Sequence, residues 1–189
     1  MRSSNPRSCQ RARASVVLLA ALIAFVSASR GNAGDWQKLA RPLHFPRLTA
    51  GSRCPQTAAG LADPKTGYTL GHGPVYPVLG FAVAPPGSLG VVHLVGDQAR
   101  GGWFWHKTLW TIDPRYQGPV LIRGGRLDAP QPVRFAIGQA SRADLRMQPT
   151  RNAQRRYGAS STLLRGPGCY ALQIDGTSFS SVVVFSAAR

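Results

Sequence analysis

The sequence contains no glutamate, and its seven acidic residues are all aspartate against 23 lysines and arginines, a formal charge of +16. Without glutamate there can be no H-E-x-x-H zinc helix. A two-carboxylate glycosidase site would have to gather aspartates that stand singly along the chain. No G-x-S-x-G turn and no P-loop occurs. The four histidines, His44, His72, His93 and His106, are never two or four residues from another histidine or from a cysteine. Cysteine is scarce, three in all and each isolated from the others, a poor basis for a structural zinc site, which needs four ligands. After residue 33 no ten-residue amphipathic helix and no internal repeat is visible. These absences leave no catalytic residue, no metal site and no cofactor to assign. The chain reads as a non-enzyme; a hydrolase assembled from dispersed serine, histidine and aspartate is the weakest of the readings.

What the sequence does contain begins with an export signal. Arg2, Arg7, Arg11 and Arg13 precede the apolar run 16–26, and Gly31-Asn32-Ala33 supplies small residues for cleavage, the pattern of a secretory signal peptide over residues 1–33. Retention as an anchor is the competing reading. Only 16 residues separate Arg13 from Arg30, short of the ~20 that span a bilayer as a helix. The expected location is secreted, periplasmic or cell surface, with no transmembrane span once the signal is removed.

Cleavage would leave 156 residues with 18 basic and 7 acidic side chains, net +11. Such a charge favours polyanions, and a solvated basic surface explains it as well. Cys54 and Cys169 then form an even pair in an oxidising compartment, and a disulfide between them is expected.

Residues 34–73, broken by Pro42, Pro46, Pro55 and Pro64, show no sustained period and read as an irregular N-terminal arm. From 74 to 189 the pattern is β. Strands are expected over 75–84, with Pro77 at a sheet edge, over 89–95 and over 103–112. Further strands are expected at 120–123, 133–137, 161–165, 169–174 and 179–185. Gly124-Gly125 reads as a bulge, 139–158 as a long arginine-rich loop with room for a short strand near Leu145–Met147, and Asp175-Gly176 as the turn of a closing hairpin. The fold class is all-β, an antiparallel sandwich of about seven or eight strands.

Within the closing hairpin, Gly166-Pro167-Gly168-Cys169-Tyr170-Ala171-Leu172-Gln173-Ile174 resembles the penultimate strand of immunoglobulin-like domains. That resemblance implies Tyr170, Leu172 and Ile174 on the core face, with Tyr170 as a corner tyrosine bonded to backbone. Here Cys169 precedes the tyrosine, so it faces away from the core, and a bond to Cys54 would pin the arm outside the sandwich. More narrowly, the chain resembles secreted bacterial proteins of no known activity. It does so in Cys54-Pro55, Gly-Pro-Val-Tyr-Pro-Val (73–78), Lys-x-Leu-Trp (107–110), Gly-Arg-Leu-Asp (125–128) and Gly-Cys-Tyr…Asp-Gly-Thr-x-Phe-Ser (168–180). No functional residue comes with that resemblance.

Two surfaces are candidates for binding. Alternation along 103–112 puts Trp103, Trp105 and Lys107 on one face and Phe104, His106 and Trp110 on the other. If the first face is open, it offers rings to a polysaccharide, as a carbohydrate-binding module does, or rings and cations to a polyanion. Burial of all the rings in the core or under the arm competes with both. The second candidate is the basic stretch with Arg142, Arg146, Arg151, Arg155 and Arg156, flanked by Arg134 and Arg165. Its expected partner is an anionic cell-envelope polymer or polysaccharide; a solvated loop explains it too. With no aromatic interleaved before Tyr157, specific nucleic-acid binding is not expected. His93, set among valines and leucine, reads as packed and hydrogen-bonded, and His72, between glycines, as exposed. Oligomeric state is not legible.

Overall fold

The computed structural model describes residues 33–63, 67–79, 90–96, 99–148 and 156–189. The expected signal peptide lies outside them, apart from its last residue. In chain order the elements are helix α1 (Ala33–Leu39) and strands β1 (Ala59–Asp63), β2 (Gly67–Leu70), β3 (Val75–Val78), β4 (Val91–His93) and β5 (Ala99–Arg100). They continue with β6 (Trp103–Ile112), β7 (Val120–Arg126), β8 (Arg134–Ile137), β9 (Ala140–Arg142) and β10 (Asp144–Met147). The chain closes with β11 (Arg156–Leu164), β12 (Gly168–Gly176) and β13 (Ser180–Ala188).

The protein is therefore all-β in its main body, but the described residues form 13 strands in three sheets rather than seven or eight. A five-stranded sheet runs β10-β7-β12-β13-β4, and a six-stranded sheet runs β3-β6-β11-β8-β9 with β5 beside the start of β6. All neighbours are antiparallel except β13 and β4. The β1–β2 hairpin stands as a sheet of its own. β3 lies at an edge, where Pro77 removes no ladder donor from a central strand.

One apolar cluster draws on both large sheets. Ile122, Leu145, Tyr170, Leu172, Ile174 and Phe185 come from the five-stranded sheet, and Val75, Trp110, Ile112, Phe135 and Leu164 from the six-stranded one. Period-two alternation along β12 sends Tyr170, Leu172 and Ile174 inward, while Cys169 and Ala171 join a second cluster outside. Tyr170 Oη donates to the Gly166 carbonyl at 2.7 Å. Burial holds this phenol above its ordinary pKa, so it remains a donor.

Several sequence expectations change. The arm contains α1 and the β1–β2 hairpin, so it is not irregular throughout. Gly124-Gly125 is no bulge: β7 pairs with β12 in unbroken register from Val120 to Arg126. The glycines serve close packing instead. A Cβ at Gly124 would stand 2.6 Å from Leu172 Cδ2 and 2.9 Å from Val133 Cβ, and one at Gly125 would stand 3.1 Å from the Phe45 ring. The strand expected near Leu145–Met147 is present as β10, and β9 (Ala140–Arg142) adds sheet where loop was expected. Asp175 and Gly176 end β12 rather than turning, and Asp175 is fully buried. His93 is exposed, not packed.

The arm crosses the outer face of the five-stranded sheet. Trp36 and Leu39 of α1 pack on Leu121. Phe45, Leu48 and Cys54 pack on Cys169, Ala171 and Val184. Cys54 and Cys169 stand at disulfide distance, with Cα atoms 5.4 Å apart. Thr57 then exchanges hydrogen bonds with Val184, its N–H donating to the Val184 carbonyl and its Oγ1 accepting from the Val184 N–H. Between these apolar patches sits a polar knot around Asp175. Its carboxylate accepts from Arg123 at 2.7 Å and from Ser180 Oγ at 2.6 Å, with Arg41 at 3.5 Å and the Gln173 amide alongside. Arg41, Arg123 and Gln173 also reach backbone carbonyls at Phe179, Arg41 and Pro42. Buried charge is tolerated only when paired and hydrogen-bonded in this way.

Candidate functional site

The outer face of the six-stranded sheet is built on β6 and its neighbours. Gly101 (φ +56°) and Gly102 (φ +74°) join β5 to β6. Positive φ at both positions of a two-residue loop is the hairpin geometry that matches strand twist, and it needs glycine. The loop sets Arg100 opposite Trp103. On the other side β11 sets Leu163 opposite both Trp105 of β6 and Arg134 of β8. Pairing across three strands thus gathers Arg100, Arg134, Trp103 and Trp105 on one face, with Lys107 one step further along.

The rings on this face carry cations. The Arg165 guanidinium carbon lies 4.1 Å from the Trp103 ring centroid, and that of Arg134 lies 6.0 Å from the same ring. Arg100 stands 5.8 Å from Trp105. These distances are cation–π range. Two of the guanidiniums are also held by carbonyls: Arg165 donates to Gly102 at 3.2 Å and Arg134 to Ser141 at 3.2 Å. Gly102 has a second role here, since a Cβ would come 2.7 Å from Arg165 Nη1. None of Arg100, Arg134 or Arg165 stands in an ion pair among the described residues. Trp105 Nε1 and Arg134 Nε are enclosed and have no hydrogen-bond partner among those residues.

The structure therefore brings Trp103, Trp105 and Lys107 together on a half-open face, Lys107 being exposed and the two rings half-buried. The opposite face of β6 goes inward. Trp110 is fully buried and donates to Ser160 Oγ at 2.9 Å. Burial lowers the pKa of His106, partly offset by its hydrogen bond with the Leu79 backbone, and keeps it neutral.

Of the basic stretch, only Arg142 and Arg146 have described side chains. Arg142 ends β9, while Arg146 pairs with Asp144 at 3.0 Å and stacks 5.8 Å from Trp36. Arg151, Arg155 and the side chain of Arg156 lie outside the described residues. Sequence reasoning missed Arg100, Arg134 and Arg165 as partners of the tryptophans. The signal for Arg100 was present: Gly101-Gly102 between two strand-like runs is a hairpin turn. Register across β11 had no signal that a single sequence supplies.

Among the described residues, no three histidine, cysteine or acidic side chains are grouped to hold a metal ion. Among the same residues no helix is long and apolar enough to cross a membrane. No family model, no curated protein and no solved structure matches the chain.

Proposed function

We propose that this chain is an exported, non-enzymatic binding protein of the cell envelope or extracellular space, an immunoglobulin-like sandwich that contacts anionic polymers through the outer face of its six-stranded sheet. The observation that carries the reading is Arg165 lying 4.1 Å from the Trp103 ring on a face where Arg100, Arg134 and Arg165 have no acidic partner among the described residues. A stacked guanidinium keeps its N–H edge in plane and free to fork onto a carboxylate or phosphate. With a cation already on the Trp103 ring, the face suits a charged polymer better than the neutral-sugar stacking of a carbohydrate-binding module. The immunoglobulin-like part of the reading is supported by the corner bond from Tyr170 to the Gly166 carbonyl. Export is supported by the N-terminal signal pattern and by Cys54 and Cys169 standing at disulfide distance.

Retention on immobilised polygalacturonate, measured against rising salt, tests the reading. Wild type should bind and elute steeply with ionic strength. Changing Arg100, Arg134 and Arg165 together to Ser should weaken retention far more than changing Arg47, Arg53 and Lys65 to Ser. Equal weakening would mean that net charge alone is responsible and that this face is no site.

A further inference from the structure

At the open edge between the two large sheets, where β9 of one leads into β10 of the other, lies a cavity of about 360 Å³. Its lining is mixed: Phe135 and Leu145 reach it from the core, Ala140 and Ile137 from the edge, and Arg142, Asp144 and Arg146 complete it. Ile137 is 64% exposed, one of few large apolar side chains so open. It also borders the shallow hollow beside Trp105 and Lys107, so the cavity mouth adjoins the cationic face. The charges at the mouth are unequal. Asp144 is taken by Arg146 at 3.0 Å, whereas Arg142 has no ion pair among the described residues.

We propose that this cavity binds a single-chain fatty carboxylate, its alkyl chain against Phe135, Leu145, Ala140 and Ile137 and its carboxylate on Arg142. The Arg146–Asp144 pair cancels itself, and the apolar part of the lining together with Arg142, which has no ion pair among the described residues, selects an anionic amphiphile. Ligand cavities span about 300–1,000 Å³, so 360 Å³ takes one short chain and not a two-chained lipid. The ligand is thus the free acid rather than a bilayer. The cavity shares Ile137 with the hollow beside the tryptophan face, but the inference does not depend on polymer binding there.

Equilibrium dialysis of the intact, disulfide-bonded protein with radiolabelled octanoate tests it. Binding should saturate, and affinity should rise about fourfold per added methylene from hexanoate upward until the cavity is full. Arg142→Ser should weaken octanoate about tenfold while leaving competition by 1-octanol unchanged. Ala140→Trp should fill the cavity and abolish both. Should that variant not fold, Ile137→Asp, at an exposed position, sets a carboxylate at the mouth and should repel octanoate while sparing octanol. An Arg100, Arg165 double variant, which leaves the Arg134 bond to β9 intact, should bind octanoate as wild type does, which separates failure here from failure of the polymer reading. Non-saturable binding, or no chain-length dependence, would overturn the proposal. So would an unaffected Arg142→Ser, or binding to phosphatidylglycerol vesicles that octanoate does not compete away.

Discussion

The outer faces of the two large sheets carry the same kinds of side chain and put them to opposite ends. On the five-stranded sheet, Arg41 and Arg123 meet buried Asp175, and Phe45 lies against the space left by Gly125. On the six-stranded sheet, Arg100, Arg134 and Arg165 meet tryptophan rings and no acid among the described residues. One face is closed by the chain's own arm. On the other, Arg100, Arg134 and Arg165 are positioned with no ion pair among the described residues. The lesson is that arginine count says little about a basic surface. What matters is whether each guanidinium already has its counter-charge, because only the unmatched ones have electrostatic energy left for a partner.

This contrast can be broken most sharply at Asp175. Asp175→Ala leaves Arg123 and Arg41 facing a buried gap, and removing one partner of such a pair costs about 3–5 kcal/mol. Urea unfolding should show it, and a loss under 1 kcal/mol would mean the knot does not hold the arm. Leu172→Ala, on the inner side of the same strand, should cost about 2–5 kcal/mol by the same measurement. Replacing Cys54 and Cys169 together by Ser should cost about 2–5 kcal/mol and make the arm the first segment cut by limited proteolysis. Cleavage elsewhere first would show that packing alone keeps it closed.

A smaller effect is expected at His106. Its folded-state pKa lies below the ordinary value because it is buried. As pH falls below about 6.5, the unfolded chain therefore takes up the proton first. Stability is complete above that pH and declines below it, by at most about 1.4 kcal/mol per pH unit from this group. His106→Gln should flatten that part of the pH–stability curve. An unchanged slope would assign it to another group. The smallest effect on stability belongs to the open face: Arg100→Ser and Arg165→Ser should each cost under about 1 kcal/mol. If either proves as costly as Asp175→Ala, the open face is structural and the comparison fails.

Much of this was legible in the sequence where the physics is local. Alternation put Tyr170, Leu172 and Ile174 on one face, and it separated Trp103, Trp105 and Lys107 from Trp110. Parity of cysteines paired Cys54 with Cys169. What stayed hidden depends on pairing between distant segments. Asp175 beside Gly176 looks like a turn because those residues favour turns. Only the strand partners Leu121 and Ser180, and Arg41 arriving from the arm, make it a buried ion. Gly124-Gly125 looks like a bulge until Leu172, Val133 and Phe45 are known to need the room. Arg134 and Arg165 flank a loop in sequence but stand beside Trp103 in space, and the ladder that brings them there spans three strands.

The strap between arm and closing hairpin also sets an order of assembly. The surface that receives Trp36 to Thr57 is made largely by β12 and β13, so an early segment has nowhere to settle until one of the last has folded. Cys54 waits across 115 residues for Cys169. Contacts so distant in sequence close slowly, because the intervening chain must lose its freedom before they form. Until then Phe45 and Leu48 on one side, and Ala171 and Val184 on the other, are exposed apolar surface. The interval before docking is when this chain is most open to aggregation and proteolysis, and the finished strap ends it.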